Sequence, residues 1–209
     1  MTDKARRAVF GGAVALVAAA SALYGTAHLW GNGGPGACAG SAATLDRLAP
    51  LSRGEVAAFE VAARPAVATD ISFRTPGGDS VTLASFRGRT VLLNLWATWC
   101  EPCKREMPAL DRLQKEVGGA RFEVVAVNID TRDFERPKRW LDEAGILHLT
   151  RYSDPEAKIF QDLRKAGEAE GLPTTLLIGP DGCRLGRLAG WAEWASADGM
   201  ALIRAALAR

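Results

Sequence analysis

The stretch Val91-Leu92-Leu93-Asn94-Leu95-Trp96-Ala97-Thr98-Trp99-Cys100-Glu101-Pro102-Cys103 decides the reading of this chain. Val91 to Trp96 is an apolar run of strand length, and it reads as a buried strand. Lys104 to Val117 has the apolar spacing of an amphipathic helix. A Cys-x-x-Cys loop between the two places its first sulfur at a helix N-terminus. There, unpaired N–H groups and the macrodipole favour a thiolate. The second sulfur lies one turn on, within reach of a disulfide. This is the geometry that thiol–disulfide exchange needs.

Working outward, the elements fall into a pattern. Leu45 to Ala63 reads as an amphipathic helix interrupted near Pro50. Ile71 to Phe86 reads as a hairpin, turning at Thr75-Pro76-Gly77-Gly78-Asp79. The helix after the cysteines, Cys103 to Val117, contains Pro108, which predicts a kink. Phe122 to Ile129 is a buried strand. Phe134 to Ala144 and Pro155 to Lys165 are helical, with a short strand at His148 to Tyr152 between them. Thr174 to Ile178 and Arg184 to Leu188 form a hairpin, and Ser196 to Leu207 is a closing helix. The order predicts an α/β domain, a central mixed sheet flanked by helices.

The chain has 209 residues, is 48% hydrophobic and 24% charged, and has a net charge of +2. The whole excess lies in residues 1–7, through Lys4, Arg6 and Arg7 against Asp3. The remainder is formally neutral and carries no electrostatic footprint for nucleic acid. Residues 8–30 contain no Asp, Glu, Lys or Arg. As a helix they reach roughly 34 Å, enough to cross a bilayer core of about 30 Å. With basic residues before the run and none after it until Arg47, the positive-inside rule puts the bulk of the chain outside the cytoplasm. The expectation is a cytoplasmic tail (1–7), a transmembrane signal anchor (8–30), a tether and N-terminal helix (31–69) and a catalytic domain (70–209). The domain would be held in the periplasm by a single pass through the inner membrane. A signal peptide cleaved near Gly25-Thr26-Ala27, or lipidation at Cys38, are the competing readings.

Four cysteines are present: Cys38, Cys100, Cys103 and Cys183. Two belong to the Cys-x-x-Cys loop. In an oxidising compartment the even remainder, Cys38 and Cys183, suggests a bond, with two unpaired thiols as the alternative. A zinc site would want four convergent ligands, and only His28 and His148 accompany the cysteines. No metal and no cofactor is expected.

Two segments carry a family resemblance: Asn94 to Pro108 around the cysteines, and Gly171-Leu172-Pro173-Thr174-Thr175. From about Asp70 to Arg209 the chain resembles thioredoxin-fold proteins. It is most similar to the TlpA-like membrane-anchored thiol:disulfide interchange proteins, close to the ResA and CcmG types of cytochrome biogenesis. The resemblance implies a thioredoxin fold with an N-terminal extension and a helix–strand insertion at Phe134 to Tyr152. It implies that Pro173 is a cis-proline facing the redox disulfide. It also implies a structural disulfide between Cys38 and Cys183. Asn94 stands where thioredoxin has a buried Asp. Glu106, three residues after Cys103, matches the biogenesis group and is the candidate for modulating Cys103 ionisation. Pairing with Lys104 or Arg105 as a solvated residue is its plain alternative.

The expected catalytic residues are therefore Cys100, Cys103, Glu106 and Pro173, with Trp99, Leu172 and Pro173 docking substrate. Glu101, beside the first cysteine, should disfavour its thiolate and so lean the protein towards a reductant. The leading functional expectation is a monomeric reductant of disulfides in cytochrome aa3 oxidase assembly factors, copper chaperones or copper-site subunits. It would be fed by a membrane electron donor of the DsbD or CcdA type. The second is a CcmG-type reductant of apocytochrome c thiols, ranked lower because CcmG-type proteins usually carry Glu after the cis-proline and this chain has Thr174. A copper-carrying chaperone comes third, with no Met or His cluster to support it. A peroxidase would need a Thr-x-x-Cys loop, and Thr98 is too close to Cys100. Trp96 reads as core or docking face, and Trp191 and Trp194 as packing residues.

Overall fold

A computed structural model describes residues 38–208. The expected cytoplasmic tail, the expected signal anchor, its competing cleavage site and most of the expected tether lie outside the described residues. Among those described, no helix is long and apolar enough to cross a membrane.

The chain builds an eight-stranded mixed sheet in the order β1-β8-β7-β4-β5-β6-β2-β3. The strands are β1 Glu60–Val67, β2 Ser72–Arg74, β3 Ser80–Thr82, β4 Thr90–Trp96, β5 Phe122–Asn128, β6 Tyr152–Ser153, β7 Thr174–Ile178 and β8 Cys183–Ala189. The helices are α1 Ala42–Leu48, α2 Glu101–Val117, α3 Arg136–Glu143, α4 Lys158–Lys165 and α5 Ala197–Leu207. β4 is the hub. It pairs in parallel with β5 and antiparallel with β7, and every one of its residues is buried. A strand covered on both faces reads as a continuous apolar run, which is why Val91 to Trp96 was legible.

α2 leaves β4 through the cysteine loop. Cys100 is its N-cap residue and Pro102 lies in its first turn, where a missing N–H costs nothing. Met107, Leu110 and Leu113 face the core. Pro108 sits on the exposed side, and the helix continues through it to Val117. α5 starts at Ser196, whose hydroxyl accepts from the Gly199 N–H at 3.0 Å.

Two expectations need correction. The helix expected from Leu45 to Ala63 ends at Leu48. Two single turns follow, Ala49–Leu51 and Gly54–Val56, and Glu60–Val67 is the edge strand β1. Pro65 cannot donate to a ladder, and the pairing of β1 with β8 shifts register between Val61 and Ala66. This strand belongs to the compact unit that begins at Cys38. The strand expected at His148 to Tyr152 shrinks to Tyr152–Ser153. The N–H groups of His148 and Leu149 are taken by the Asp111 carboxylate at 2.6 and 3.1 Å instead of by a neighbouring strand.

Candidate redox site

Cys100 and Cys103 are joined by a disulfide, with their Cα atoms 5.3 Å apart. Cys100 is 5% exposed and Cys103 is fully buried. The Cys100 sulfur accepts from the Cys103 backbone N–H at 3.3 Å. That N–H is one of the unpaired donors of the helix N-terminus, and it stabilises negative charge on this sulfur once the disulfide opens. The loop before the cysteines is fixed by Asp130, which accepts from the Thr98 N–H and hydroxyl, both at 2.9 Å. Asp130 is buried and is held in turn by Asn128 at 2.7 Å.

The peptide bond between Leu172 and Pro173 is cis. Thr174 follows, and its hydroxyl donates back to the Gly171 carbonyl at 2.6 Å. Thr175 pairs across to Asn94 of β4, so β7 carries the Pro173 loop to the strand that feeds the cysteines.

Glu106 is 1% exposed and lies one turn beyond Cys103. It pairs with neither Lys104 nor Arg105. Three neutral donors converge on its carboxylate: Asn94 Nδ2 at 3.0 Å, the Ala192 N–H at 3.1 Å and Trp194 Nε1 at 2.6 Å. These hydrogen bonds favour the ionised form, but burial outweighs them and raises the carboxyl from its ordinary 4.5 to about 7. A group poised near neutrality can take or give a proton at physiological pH. Asn94 Nδ2 also reaches the Thr175 hydroxyl at 2.9 Å, and its Oδ1 has no partner.

Trp99 is 63% exposed beside the disulfide, whereas Trp96 is buried and packs against Trp140 with ring centroids 5.6 Å apart. Trp96 is therefore core. Leu172 is half-buried next to the exposed Gly171. Glu101 does not act on the thiolate alone. It is exposed and ion-paired with Lys104 at 2.7 Å, which holds its carboxyl below the usual range and neutralises much of its field. Cys38 and Cys183 form a second disulfide, 145 residues apart in sequence. A cavity of about 820 Å³ lies beyond Trp96, with Asn128, Asp130, Phe134 and Tyr152 in its wall but none of the cysteines and not Glu106. The redox site is thus a face of the molecule, not this cavity.

Sequence reasoning missed Trp194, Ala192 and Thr175 as the surroundings of Glu106, and Asp130 as the anchor of the loop. Trp194 and Ala192 are 88 and 86 residues from Glu106, so no local spacing links them. The neutral Asn94 was the one local signal, since a buried amide must find a partner.

Comparison with known proteins agrees with this site. The AhpC/TSA family model matches residues 65–183. The chain is 36% identical over 103 residues to the thiol-disulfide oxidoreductase ResA of Oceanobacillus iheyensis, covering 49% of this chain and 50% of that protein. It is 47% identical over 66 residues to the thioredoxin-like protein YneN of Bacillus subtilis, covering 32% and 38% respectively. The chain thus spans half or less of the length of these curated relatives. A crystal structure from Chlorobium tepidum, given as a thiol:disulfide interchange protein DsbE, superposes with a TM-score of 0.59. It is 29% identical and covers 69% of this chain and 98% of that one. The fold is thioredoxin-like, and the chain belongs to the AhpC/TSA family, on its ResA- and DsbE-like side.

Proposed function

We propose that this protein is an extracytoplasmic thiol–disulfide oxidoreductase that reduces disulfides in partner proteins. The observation that carries the reading is the Cys100–Cys103 pair at the start of α2, with a buried carboxyl of near-neutral pKa one turn below it. In the reduced protein the Cys100 thiolate attacks a substrate disulfide. The substrate S–S bond breaks, a mixed disulfide forms, and the departing substrate sulfur takes up a proton. Cys103 then loses its proton and attacks Cys100. This closes the Cys100–Cys103 disulfide and releases the second substrate thiol, so two electrons pass to the substrate. Glu106 is the group that accepts the Cys103 proton in this scheme.

Of the two substrate readings, reduction of apocytochrome c thiols ranks above oxidase assembly. The similarity to ResA and DsbE supports it, since ResA stands in the cytochrome-biogenesis group that the motifs resemble. Thr174 still departs from the CcmG-type pattern. Residues 8–30 would anchor the protein in the inner membrane, and a membrane donor of the DsbD or CcdA type would re-reduce it.

The deciding measurement is the Cys100–Cys103 reduction potential, by equilibration with dithiothreitol while following Trp99 fluorescence. A value at or below roughly −210 mV is expected of a reductant, whereas a value near roughly −120 mV would make the protein an oxidant. Substrate choice is read from the rates with an oxidised Cys-x-x-Cys-His peptide and an oxidised copper-site peptide. Faster reduction of the first is expected.

A further inference from the structure

Trp191 and Arg105 stand beside the redox site and serve neither the core nor the Glu106 network. Trp191 is 49% exposed, while Trp194 three residues on is fully buried. The backbone on both sides of Trp191 is fixed to the site. The Gly190 N–H donates to the Pro173 carbonyl at 2.9 Å, and the Ala192 N–H donates to Glu106 at 3.1 Å. The indole is thus displayed at the surface from a rigid frame that joins the Pro173 loop to the redox helix.

Arg105 lies two residues past Cys103 on the exposed side of α2, with its guanidinium carbon 5.9 Å from the Trp191 ring centroid. Among the described residues it makes no hydrogen bond and no ion pair, and beyond the ring its charge reaches Glu101, whose carboxyl it helps to hold below the usual range. The neighbouring charges cancel in pairs: Lys104 with Glu101 at 2.7 Å, and Arg112 with Glu193 at 3.0 Å. Arg105 is therefore a positive charge on this face without an ion-pair partner among the described residues. Its edge carries unused N–H donors in the fork that matches a carboxylate.

We propose that Trp191 and Arg105 form a docking element that recognises an acidic side chain next to the disulfide being reduced. The occupant is a protein substrate segment with a carboxylate close to its cysteines. An exposed, framed aromatic gives apolar contact at little cost in side-chain freedom. The stacked guanidinium supplies the charged contact and the selectivity. This rests on the thiol–disulfide reading above and adds to it a class of substrate.

The test compares two oxidised peptides, identical around a Cys-x-x-Cys disulfide except for Glu or Lys directly after the second cysteine. The reduced full chain is mixed with each, and the second-order rates are measured at low and at high salt. The acidic peptide is expected to react about threefold faster at low salt, with the gap closing at high salt. The ratio of rates is internal to each protein sample, so partial loss of folded protein does not change it. In Arg105→Gln the ratio falls to about one, in Arg105→Glu it inverts, and in Trp191→Ala it shrinks. Equal rates on the unaltered chain, or an unchanged ratio in Arg105→Glu, overturn the docking element and leave the thiol–disulfide reading standing. If neither peptide is reduced, both fall.

Discussion

The two disulfides of this protein are the same covalent bond placed in opposite surroundings. Cys38–Cys183 joins positions 145 residues apart and ends in a fully buried sulfur at the start of β8. Cys100–Cys103 spans three residues, caps a helix, and lies beside an exposed tryptophan and a buried acid. The long loop removes much freedom from the unfolded chain, and the short one removes very little. At Cys100 the N-terminus of a 17-residue helix, with the Cys103 N–H donating to the sulfur at 3.3 Å, makes a thiolate easy to form. One bond is therefore placed to hold the fold and the other to be broken and remade.

The sharpest test of this division is Cys100→Ala, which should bring exchange with any disulfide substrate down to background. Cys103→Ala should stop at the mixed disulfide, visible as a covalent adduct on a non-reducing gel. Loss of both cysteines of the long pair, in Cys38→Ala with Cys183→Ala, should lower stability by about 4–5 kcal/mol in the chain-entropy model. The Cys100–Cys103 potential should hardly move in that variant. A shift as large as that caused by changes around the cysteine loop would dissolve the distinction.

Glu106 tests the redox side by pH. Between about pH 4.5 and about 7 the folded chain keeps a proton on this buried acid that the unfolded chain has lost. Stability therefore falls as pH rises through that window, by up to about 3 kcal/mol. Glu106→Gln should flatten the slope in urea unfolding, leave a protein more stable than the parent at pH 8, and slow the second exchange step. The smallest effect is expected at Glu101→Gln. With Lys104 released from its partner, the potential should rise by no more than about 15 mV. A larger rise would mean that Glu101 sets the direction of electron flow after all.

The sequence made the centre of the molecule legible because its signals are local. β4 is a continuous apolar run, α2 has a helical stripe behind a capping cysteine, and β7 and β8 flank a Gly179-Pro180-Asp181-Gly182 turn. β1 was hidden because it is an edge strand. Its alternation is diluted by Ala62, Ala63 and Pro65, and only β8 disciplines it. β6 was overdrawn because Asp111, on another element, claims the N–H groups that His148 and Leu149 would have given to a ladder. The site divides in the same way. The cysteines, Pro173 and Glu106 stand in recognisable motifs. Trp191 and Trp194, which read alike as packing residues, are separated only by the fold: one is displayed and the other is buried under Glu106.

The staple at Cys38 also has a mechanical consequence. Tension applied to the chain ahead of Cys38 does not unwind α1 or peel β1 residue by residue. It passes through sulfur directly to the first residue of β8. β8 lies between β1 and β7, with antiparallel hydrogen bonds on both sides. The pull is therefore shared across two rows of bonds at once, and the segment between the two cysteines, redox site included, is left slack.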